Sequence, residues 1–254
     1  MQSLEKLRER LKVAFNVVVL TGAGISAASG VPTFRGKDGL WNKFKPQELA
    51  NVDAFLKNPE LVWEWYRWRG KIIKNVKPNL GHYALVEMAA YFPDFSIITQ
   101  NVDNLHKIAG TKKITELHGN IMTNKCIDCT YEGDESEHPN ADDAGQKVPR
   151  CPQCGGMLRP GVVWFGEMLP QKAIAEAQLK SSEAEVLFSI GTSSTVEPAA
   201  SLPYLAKGNG AYIIEINPDE TPLSAIADQR FPVGAHEVLP KLALLIGKIR
   251  NKHH

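Results

Sequence analysis

Residues 15–30 read FNVVVLTGAGISAASG, so an apolar, β-branched run leads directly into a Gly-x-Gly turn and a series of small residues. In doubly wound α/β sheets, a strand followed by such a turn and a helix brings backbone N–H groups and the positive end of the helix dipole up to a pyrophosphate. The stretch therefore indicates a nucleotide site. The alternative is a tight strand-to-helix turn that binds no ligand, because a lone Gly-x-Gly is a weak signal.

The same region departs from the pattern of dehydrogenases that transfer a hydride to or from NAD. Those enzymes carry a third glycine, in Gly-x-Gly-x-x-Gly, and an acidic residue that ends the next strand about 20 residues on. Here Ala27 occupies the third position, and residues 38–42 read DGLWN, which is not a strand pattern. A dinucleotide at this site would have to be held in another way.

Composition indicates a globular α/β protein. The chain has 254 residues, 43% hydrophobic and 22% charged, which is enough for one sizeable core and a smaller appended unit. A net charge of +1 gives no electrostatic reason to expect nucleic acid or a membrane surface as a partner. No apolar run approaches the roughly 18 residues of a spanning helix, so we expect a cytoplasmic protein.

Hydrophobic periodicity predicts strands that alternate with helices. Short apolar runs predict strands over 15–20, 95–99, 114–117, 186–190 and 211–216, and helical spacing predicts amphipathic helices over 4–13, 59–76, 80–91, 171–181 and 238–249. This alternation is typical of βαβ units around a parallel sheet that is buried on both faces. Two insertions interrupt it, a helical one after Arg35 and one that contains the cysteines.

The four cysteines of the chain form two Cys-x-x-Cys pairs, Cys126 with Cys129 and Cys151 with Cys154. This spacing is that of a zinc ribbon, in which four thiolates bind one Zn²⁺ tetrahedrally. The alternatives are two disulfides, which a reducing cytoplasm disfavours, or a redox Cys-x-x-Cys, which needs only one pair. Because cysteine fills all four ligand positions, the predicted zinc is structural rather than catalytic.

Polar motifs follow four of the predicted strands, at the positions where open α/β sheets bind ligands. Each motif also has a simpler explanation: a polar loop, a structural histidine, or a turn that Asn, Pro and Asp favour. An ordinary pKa of about 6.5 would suit a histidine at such a position as a general base. The motifs are Gln100-Asn101-Val102-Asp103, His118-Gly119, Gly191-Thr192-Ser193 and Asn217-Pro218-Asp219.

Taken in order, the motifs resemble those of the sirtuins, the NAD-dependent protein-lysine deacylases. The resemblance extends over nearly the whole chain, from Leu20 to Ala235. Any one motif can occur by chance, but the ordered set is highly specific. It comprises Gly-Ala-Gly-Ile-Ser at 22–26, Pro-Thr-Phe-Arg at 32–35, Thr-Gln-Asn-Val-Asp at 99–103, Leu-His-Gly at 117–119, the cysteine pairs, Gly-Thr-Ser at 191–193 and Asn-Pro-Asp at 217–219.

The resemblance implies a Rossmann-like, doubly wound parallel sheet with a smaller domain made of a zinc ribbon and a helical insertion. NAD would be consumed as a cosubstrate, giving nicotinamide and O-acyl-ADP-ribose, and the partners would be acylated-lysine proteins or peptides. The oligomeric state is not predicted. The implied NAD-binding domain comprises residues 1–36, 81–120 and 161–254, the helical insertion residues 37–80, and the zinc-ribbon part residues 121–160.

By the same resemblance, His118 is the general base that deprotonates a ribose hydroxyl. Asn101 and Asp103 would hold the nicotinamide ribose and carboxamide, Phe34 would shield the nicotinamide from water, and Arg35 would bind the phosphates. The residues implied to bind NAD are Gly22, Ala23, Gly24, Ser26, Ala27, Thr33, Phe34, Arg35, Trp41, Gln100, Asn101, Val102, Asp103, Gly191, Thr192, Ser193, Asn217, Pro218, Asp219 and Ala235.

Residues 160–167, which read PGVVWFGE, resemble the sirtuin loop that takes up the substrate peptide as an added β-strand. The alternative is a linker that returns from the zinc ribbon to the sheet. The residues implied to contact the peptide are Val162, Val163, Trp164, Phe165 and Gly166.

One flank of the helix predicted over 59–76 bears on the acyl group, because Tyr66 and Arg69 lie there among apolar residues. A buried arginine without a partner is costly, whereas a carboxylate would satisfy it. Tyr-x-x-Arg resembles the pair that marks sirtuins acting on negatively charged acyl groups, so we expect removal of succinyl and malonyl as well as acetyl groups. The alternative is an arginine that reaches solvent or pairs with a nearby acid.

Two other functions have to be weighed against deacylation. A mono-ADP-ribosyltransferase would use the same pocket but would transfer the ribose to a protein side chain. A non-enzymatic zinc-ribbon binding module would leave His118, Asn101 and Asp103 without a role.

Overall fold

The computed structural model describes residues 2–34, 39–40, 45–134 and 147–250, and its larger sheet has six parallel strands. The order of these strands reverses between Asn16–Thr21 and Val186–Ile190, which is the switch point of a doubly wound sheet. The strands are β1 (Asn16–Thr21), β2 (Asp94–Thr99), β3 (Ile114–Glu116), β7 (Val186–Ile190), β8 (Tyr212–Ile216) and β9 (Gln229–Phe231), in the order β3-β2-β1-β7-β8-β9.

Helices cover both faces of this sheet, which is why its four central strands are buried almost throughout. Alternate residues of β1 face opposite sides, so that Val17 and Val19 enter one hydrophobic cluster and Val18 and Leu20 the other. Among the described residues, no helix is both long and apolar enough to cross a bilayer. The first cluster is closed by α1 (Gln2–Val13), α5 (Leu80–Ala89) and α9 (Ala235–Arg250), and the second by α7 (Gln171–Glu183) and α8 (Leu202–Gly208).

A second, antiparallel sheet forms with a group of helices around a separate hydrophobic cluster. Its strands are β4 (Gly119–Cys126), β5 (Glu132–Asp134) and β6 (Leu158–Val162), in the order β5-β4-β6. Here Trp63 Nε1 donates to Leu158 O at 2.9 Å. This hydrogen bond joins the helix that carries Trp63 to β6. The helices of this part are α2 (Pro46–Leu49), α3 (Val52–Lys57) and α4 (Pro59–Lys74), and α6 (Leu105–Ala109) follows β2.

The predicted fold class is confirmed by the parallel sheet, and the predicted strands and helices lie within a few residues of those found. The helix expected after the Gly-x-Gly turn is present as a 3-10 helix, Ala23–Ser29, so its aligned backbone dipoles are fewer than those of a full α-helix. The pattern misses the short elements β9, α6 and α8, which span three, five and seven residues. It also misses α2, α3 and all three strands of the smaller sheet, including the eight-residue β4, which is not a continuous apolar run. The division into domains stays a prediction.

Candidate active site and metal centre

The loops after β1, β2 and β7 lie side by side at the carboxyl edge of the sheet. The amide of Gly22 donates to the carbonyl of Ile190 at 3.0 Å, and the amide of Gln100 donates to the carbonyl of Thr21 at 2.9 Å. Parallel pairing places the ends of neighbouring strands at one edge. The loops that carry the predicted nucleotide residues are therefore neighbours in space.

The glycines of the Gly-x-Gly turn allow the loops after β1 and β7 to touch. A Cβ on Gly24 would lie 2.6 Å from the Cα of Gly191, and a Cβ on Gly22 would lie 2.7 Å from the Gly191 carbonyl oxygen. The Gly24 amide donates to that carbonyl at 2.9 Å. The amides of both turn glycines are thus taken up by protein carbonyls, so the expectation that this turn presents them to a pyrophosphate is wrong for these two groups.

Ser26 is the centre of a buried polar group below this edge. Its hydroxyl donates to Asp103 Oδ2 at 2.7 Å and accepts from Asn101 Nδ2 at 3.3 Å. The amide of Leu105 donates to Asp103 Oδ1 at 3.0 Å. Burial raises the pKa of Asp103, although the hydrogen bonds from Ser26 and Leu105 oppose this. Three of the predicted cofactor residues are therefore brought together by direct hydrogen bonds.

His82 also belongs to this polar group, and the sequence pattern does not single it out. Its Nδ1 accepts from the amide of Asn79 at 3.3 Å, so its proton lies on Nε2, 3.4 Å from Ser26 Oγ. Burial lowers the pKa of His82 to about 4, so the ring is neutral near pH 7. The only local signal is its place three residues after Asn79, in the capping box that begins α5.

His106 is a second buried histidine that the sequence does not reveal. Thr21 Oγ1 donates to Thr99 Oγ1 at 2.8 Å, so it accepts from His106 Nε2 at 2.9 Å. The other ring nitrogen, Nδ1, has no hydrogen-bond partner among the described residues. Burial, and then the proximity of His82, lower the pKa of His106 to about 3. His106 therefore supports the ends of β1 and β2 as a neutral imidazole.

His118 lies where the two sheets meet. The amide of Leu117 before it donates to Thr99 O at 2.9 Å, and the His118 carbonyl accepts from the amide of Val163 at 2.9 Å. Its Nδ1 lies 3.0 Å from the carbonyl of Gln100. Because a carbonyl can only accept, Nδ1 carries the proton and Nε2 keeps a lone pair. Burial lowers the pKa of His118, with the hydrogen bond to Gln100 opposing it, so Nε2 is suited to accept a proton near pH 7.

The loops after β7 and β8 are joined by Asn217. Its Nδ2 donates to the carbonyl of Thr192 at 2.8 Å, and its Oδ1 accepts from the amide of Asp219 at 3.2 Å. Ser193 Oγ lies 2.8 Å from Thr195 Oγ1, in the same loop as Thr192. The predicted residues of these two loops are therefore held in one arrangement.

The remaining predicted cofactor residues lie on the described elements, except for two. Ala23 and Ala27 belong to the 3-10 helix, where Ala27 is exposed, and Thr33 O accepts from the amide of Leu40 at 2.9 Å. Val102 is buried and Pro218 is exposed. Ala235 is the buried first residue of α9. Arg35 and Trp41 lie outside the described residues.

Tyr66 and Arg69 are buried on α4, with Arg69 only 7% exposed. The Arg69 guanidinium stacks on the rings of Phe34 and Trp65, at 4.7 Å and 4.9 Å from their centroids. No described residue accepts a hydrogen bond from the Arg69 guanidinium, and none forms an ion pair with it. Burial lowers the pKa of Arg69, and the charge of Asp103 opposes this. Among the described residues, the Arg69 guanidinium thus contacts aromatic rings and lacks an acceptor, and its role in binding an acyl carboxylate stays a prediction.

The 162–166 segment follows β6 and passes beside both His118 and α4. Its Phe165 amide donates to the carbonyl of Ala50 at 2.9 Å. Trp164 is buried, and its Nε1 donates to Tyr66 Oη at 2.9 Å. Phe165 is 48% exposed, and Gly166 has a φ of 85°, a left-handed conformation that favours glycine. One predicted peptide residue, Trp164, is thus in direct contact with Tyr66 of the predicted acyl pair.

The four cysteines lie together as one cluster, with all four Sγ atoms within 4.8 Å of one another. The Cys126 and Cys154 sulfurs are 3.5 Å apart, and those of Cys129 and Cys151 are 3.7 Å apart. A disulfide bond is about 2.05 Å long, so the disulfide alternative is wrong. Four sulfurs about 2.3 Å from one Zn²⁺ would have this spacing. The cluster fits a single structural zinc, as predicted.

Fold and site together define a nucleotide-binding α/β enzyme with a four-thiolate metal centre. A protein-family model for the Sir2 family matches residues 22–198, which is more than half of the chain, so the chain belongs to the Sir2 family. The NAD-dependent protein deacylase of Aquifex aeolicus is 55% identical over 227 residues, 89% of this chain and 93% of that protein. The NAD-dependent protein deacylase 1 of Archaeoglobus fulgidus is 46% identical over 244 residues, 96% of this chain and 98% of that protein.

Solved structures agree with this assignment. A mutant Sir2 homologue in complex with ADP-ribose has a TM-score of 0.91 and 46% identity, with 96% of each chain covered. A Sir2–p53 peptide–NAD⁺ complex has a TM-score of 0.84 and 33% identity, covering 96% of this chain and 97% of that one. The prediction of an NAD-dependent protein deacylase, with NAD as cosubstrate, is confirmed. The acyl groups and the individual site residues stay predictions.

Proposed function

We propose that this protein removes succinyl and malonyl groups, in addition to acetyl groups, from protein lysines, consuming NAD and releasing nicotinamide and O-acyl-ADP-ribose. The observation that carries the acyl assignment is Arg69, a buried guanidinium without a hydrogen-bond acceptor among the described residues. Its five N–H donors match a carboxylate in a bidentate geometry. The distal carboxylate of a succinyl or malonyl group would supply the missing acceptor.

Tyr66 supports the same proposal through the direction of its hydrogen bond. Its oxygen accepts from Trp164 Nε1 at 2.9 Å, and no described residue accepts its proton. Burial raises the pKa of Tyr66 to about 12, so the phenol keeps that proton at physiological pH. A second donor is therefore available beside Arg69, whose guanidinium carbon lies 5.8 Å from the Tyr66 ring centroid.

His118 is the general base in this proposal. Because Nδ1 donates to Gln100 O, Nε2 is left to accept the proton of a ribose hydroxyl. Asn101, Asp103 and Ser26 would hold the nicotinamide side of NAD, and the loops after β7 and β8 would hold the adenosine side. NAD supplies the ribose carbon that the acyl oxygen attacks. The protein contributes orientation and exclusion of water around that carbon.

The 162–166 segment is proposed to receive the acylated peptide, and the Sir2–p53 peptide complex supports a peptide substrate. The amides of Val163, Trp164 and Phe165 all donate within the protein, to His118 O, Glu167 Oε2 and Ala50 O. A peptide strand that adds here would therefore have to donate its own amides to carbonyls of the segment. Such backbone contacts predict broad tolerance of the peptide sequence.

The acyl assignment is tested by replacing Arg69 with Met. We expect Arg69→Met to abolish release of succinyl and malonyl groups from lysine peptides while deacetylation stays within about twofold. Products are followed by mass spectrometry, because only deacylation yields O-acyl-ADP-ribose, whereas mono-ADP-ribosyl transfer modifies the protein acceptor. The matched control is Arg67→Met on the same helix, whose guanidinium instead donates to Lys147 O at 2.7 Å. Equal loss of both activities in Arg69→Met would contradict the assignment.

A further inference from the structure

A buried arginine and a glutamate brace the 162–166 segment on one side. Arg159, at the second position of β6, is 4% exposed, and its guanidinium carbon lies 3.4 Å from the centroid of the Trp164 ring. It forms an ion pair with Glu167 through Nη1, and its Nη2 donates to Glu167 Oε2 at 2.9 Å. Because a guanidinium stacked on an indole fixes the plane of the ring, this pair restrains Trp164.

The same two side chains also occupy backbone groups of the segment. Arg159 Nη2 donates to the carbonyl of Val162 at 2.9 Å, and Glu167 Oε2 accepts from the amide of Trp164 at 2.7 Å. In an extended chain, the carbonyl of one residue and the amide of the second residue after it lie on one edge. The pair therefore occupies the Val162 carbonyl and the Trp164 amide on one edge of the segment. The Val163 and Phe165 amides donate to His118 O and Ala50 O, so an added peptide strand has to pair with the segment's remaining carbonyls.

The charge arrangement around Arg159 is poor for stability alone. Arg159 Nε has no hydrogen-bond partner among the described residues, and Lys125 lies opposite Arg159 in the β4–β6 ladder, so two cations share Glu167. A buried ion pair with an unsatisfied donor contributes little net stability. Although burial raises the pKa of Glu167, its hydrogen bonds from Arg159 and Trp164 lower it overall, so the carboxylate stays charged. These features favour a positioning role.

We propose that Arg159 and Glu167 are positioning residues for the acylated peptide. They hold the Val162 carbonyl, the Trp164 amide and the Trp164 ring in the arrangement that the peptide meets. This inference rests on the proposed function, which assigns residues 162–166 to peptide binding. In this proposal Arg159 and Glu167 act on substrate binding through Trp164 rather than on the chemical step.

The test is Glu167→Gln, which keeps an acceptor oxygen for the Trp164 amide but removes the charge that holds Arg159. We expect KM for an acetyl-lysine peptide to rise about tenfold, with kcat and KM for NAD within about twofold. A second variant, Arg159→Lys, keeps the charge but loses the planar stacking and should raise the same KM. The control is Glu9→Gln on the exposed face of α1, which should change none of these values.

A spectroscopic readout separates positioning from general destabilisation. With 5-fluorotryptophan incorporated, the ¹⁹F resonance of Trp164, assigned with Trp164→Phe, should shift in both variants while the resonance of Trp63 stays in place. A shifted resonance with unchanged peptide KM would overturn the inference, and so would equal changes in the KM for NAD. If Arg69→Met fails to separate the acyl groups while Glu167→Gln still raises the acetyl-peptide KM, the acyl assignment fails and this inference stands.

Discussion

His118 combines a fixed tautomer with a lowered pKa, and both bear on the pH dependence of catalysis. A base has to be unprotonated, so a pKa below the ordinary 6.5 extends activity to lower pH. We expect the midpoint of the acidic limb in the pH profile of kcat/KM to lie below pH 6.5. The profile is measured with an acetyl-lysine peptide. His118→Ala should lower kcat by about 10²–10⁴-fold. An acidic limb above pH 6.5 would contradict the assignment of His118 as the base.

The contact between the Gly-x-Gly turn and Gly191 predicts the effect of a single methyl group. In Gly24→Ala, the new Cβ would meet the Gly191 Cα at 2.6 Å, and backbone cannot give way as a flexible side chain can. We expect a loss of about 1–3 kcal/mol in unfolding free energy and weaker binding of ADP-ribose. The control is Gly208→Ala at the end of α8, where nothing lies within 4 Å of the added Cβ, so urea unfolding should show no loss there.

At the scale of elements, the cysteine cluster and α4 share one hydrophobic cluster. Cys126 and Cys151 pack in the same cluster as Val62, Trp63 and other residues of α4. Zinc binding supplies roughly 10–16 kcal/mol in zinc-finger peptides, so we expect a strong chelator to produce a separate, low-temperature unfolding transition in calorimetry. The larger sheet should unfold later and keep part of its ADP-ribose binding. A thermogram unchanged by chelator would count against a structural zinc.

The elements that the sequence predicts are those whose signal is local. The strands β1, β2, β7 and β8 are buried on both faces and appear as continuous apolar runs. The edge strand β9 is three half-buried residues, Gln229–Phe231, with no such run. The cysteine spacing predicts the metal cluster because all four ligands lie in two short pairs.

Side-chain partners far apart in the sequence cannot be predicted in this way. His82 meets Ser26 across 56 positions, and His106 meets Thr21 across 85. Each histidine lies at a helical position that could equally face solvent. The contact of Trp164 with Tyr66 spans 98 positions. Such residues come together only when the helices and strands that carry them pack against one another in the folded chain.

At the scale of the whole molecule, the two buried histidines predict acid sensitivity. Their pKa values in the folded state, about 4 for His82 and about 3 for His106, lie below the unfolded value near 6.5. The unfolded chain therefore binds more protons, and stability is complete above pH 6.5 and is lost as pH falls toward about 3. At pH 5, each histidine should lower the free energy of unfolding by about 2 kcal/mol relative to neutral pH.

Urea unfolding between pH 7 and pH 5 measures this effect. Replacement of His106 by Gln, which keeps a polar side chain but cannot take up a proton, should flatten the pH dependence by about half. A pH dependence unchanged in His106→Gln would show that other groups take up the protons.

The protonated Tyr66 has a consequence for how the cell's acidity would act on this enzyme. A phenol with a pKa of about 12 does not change its charge anywhere in the physiological range, and a guanidinium does not either. An imidazole does. Acidification below pH 6.5, where His118 takes up a proton, should therefore slow turnover of every modified lysine in the same proportion. The preference among modifications would stay constant while the rate of their removal falls.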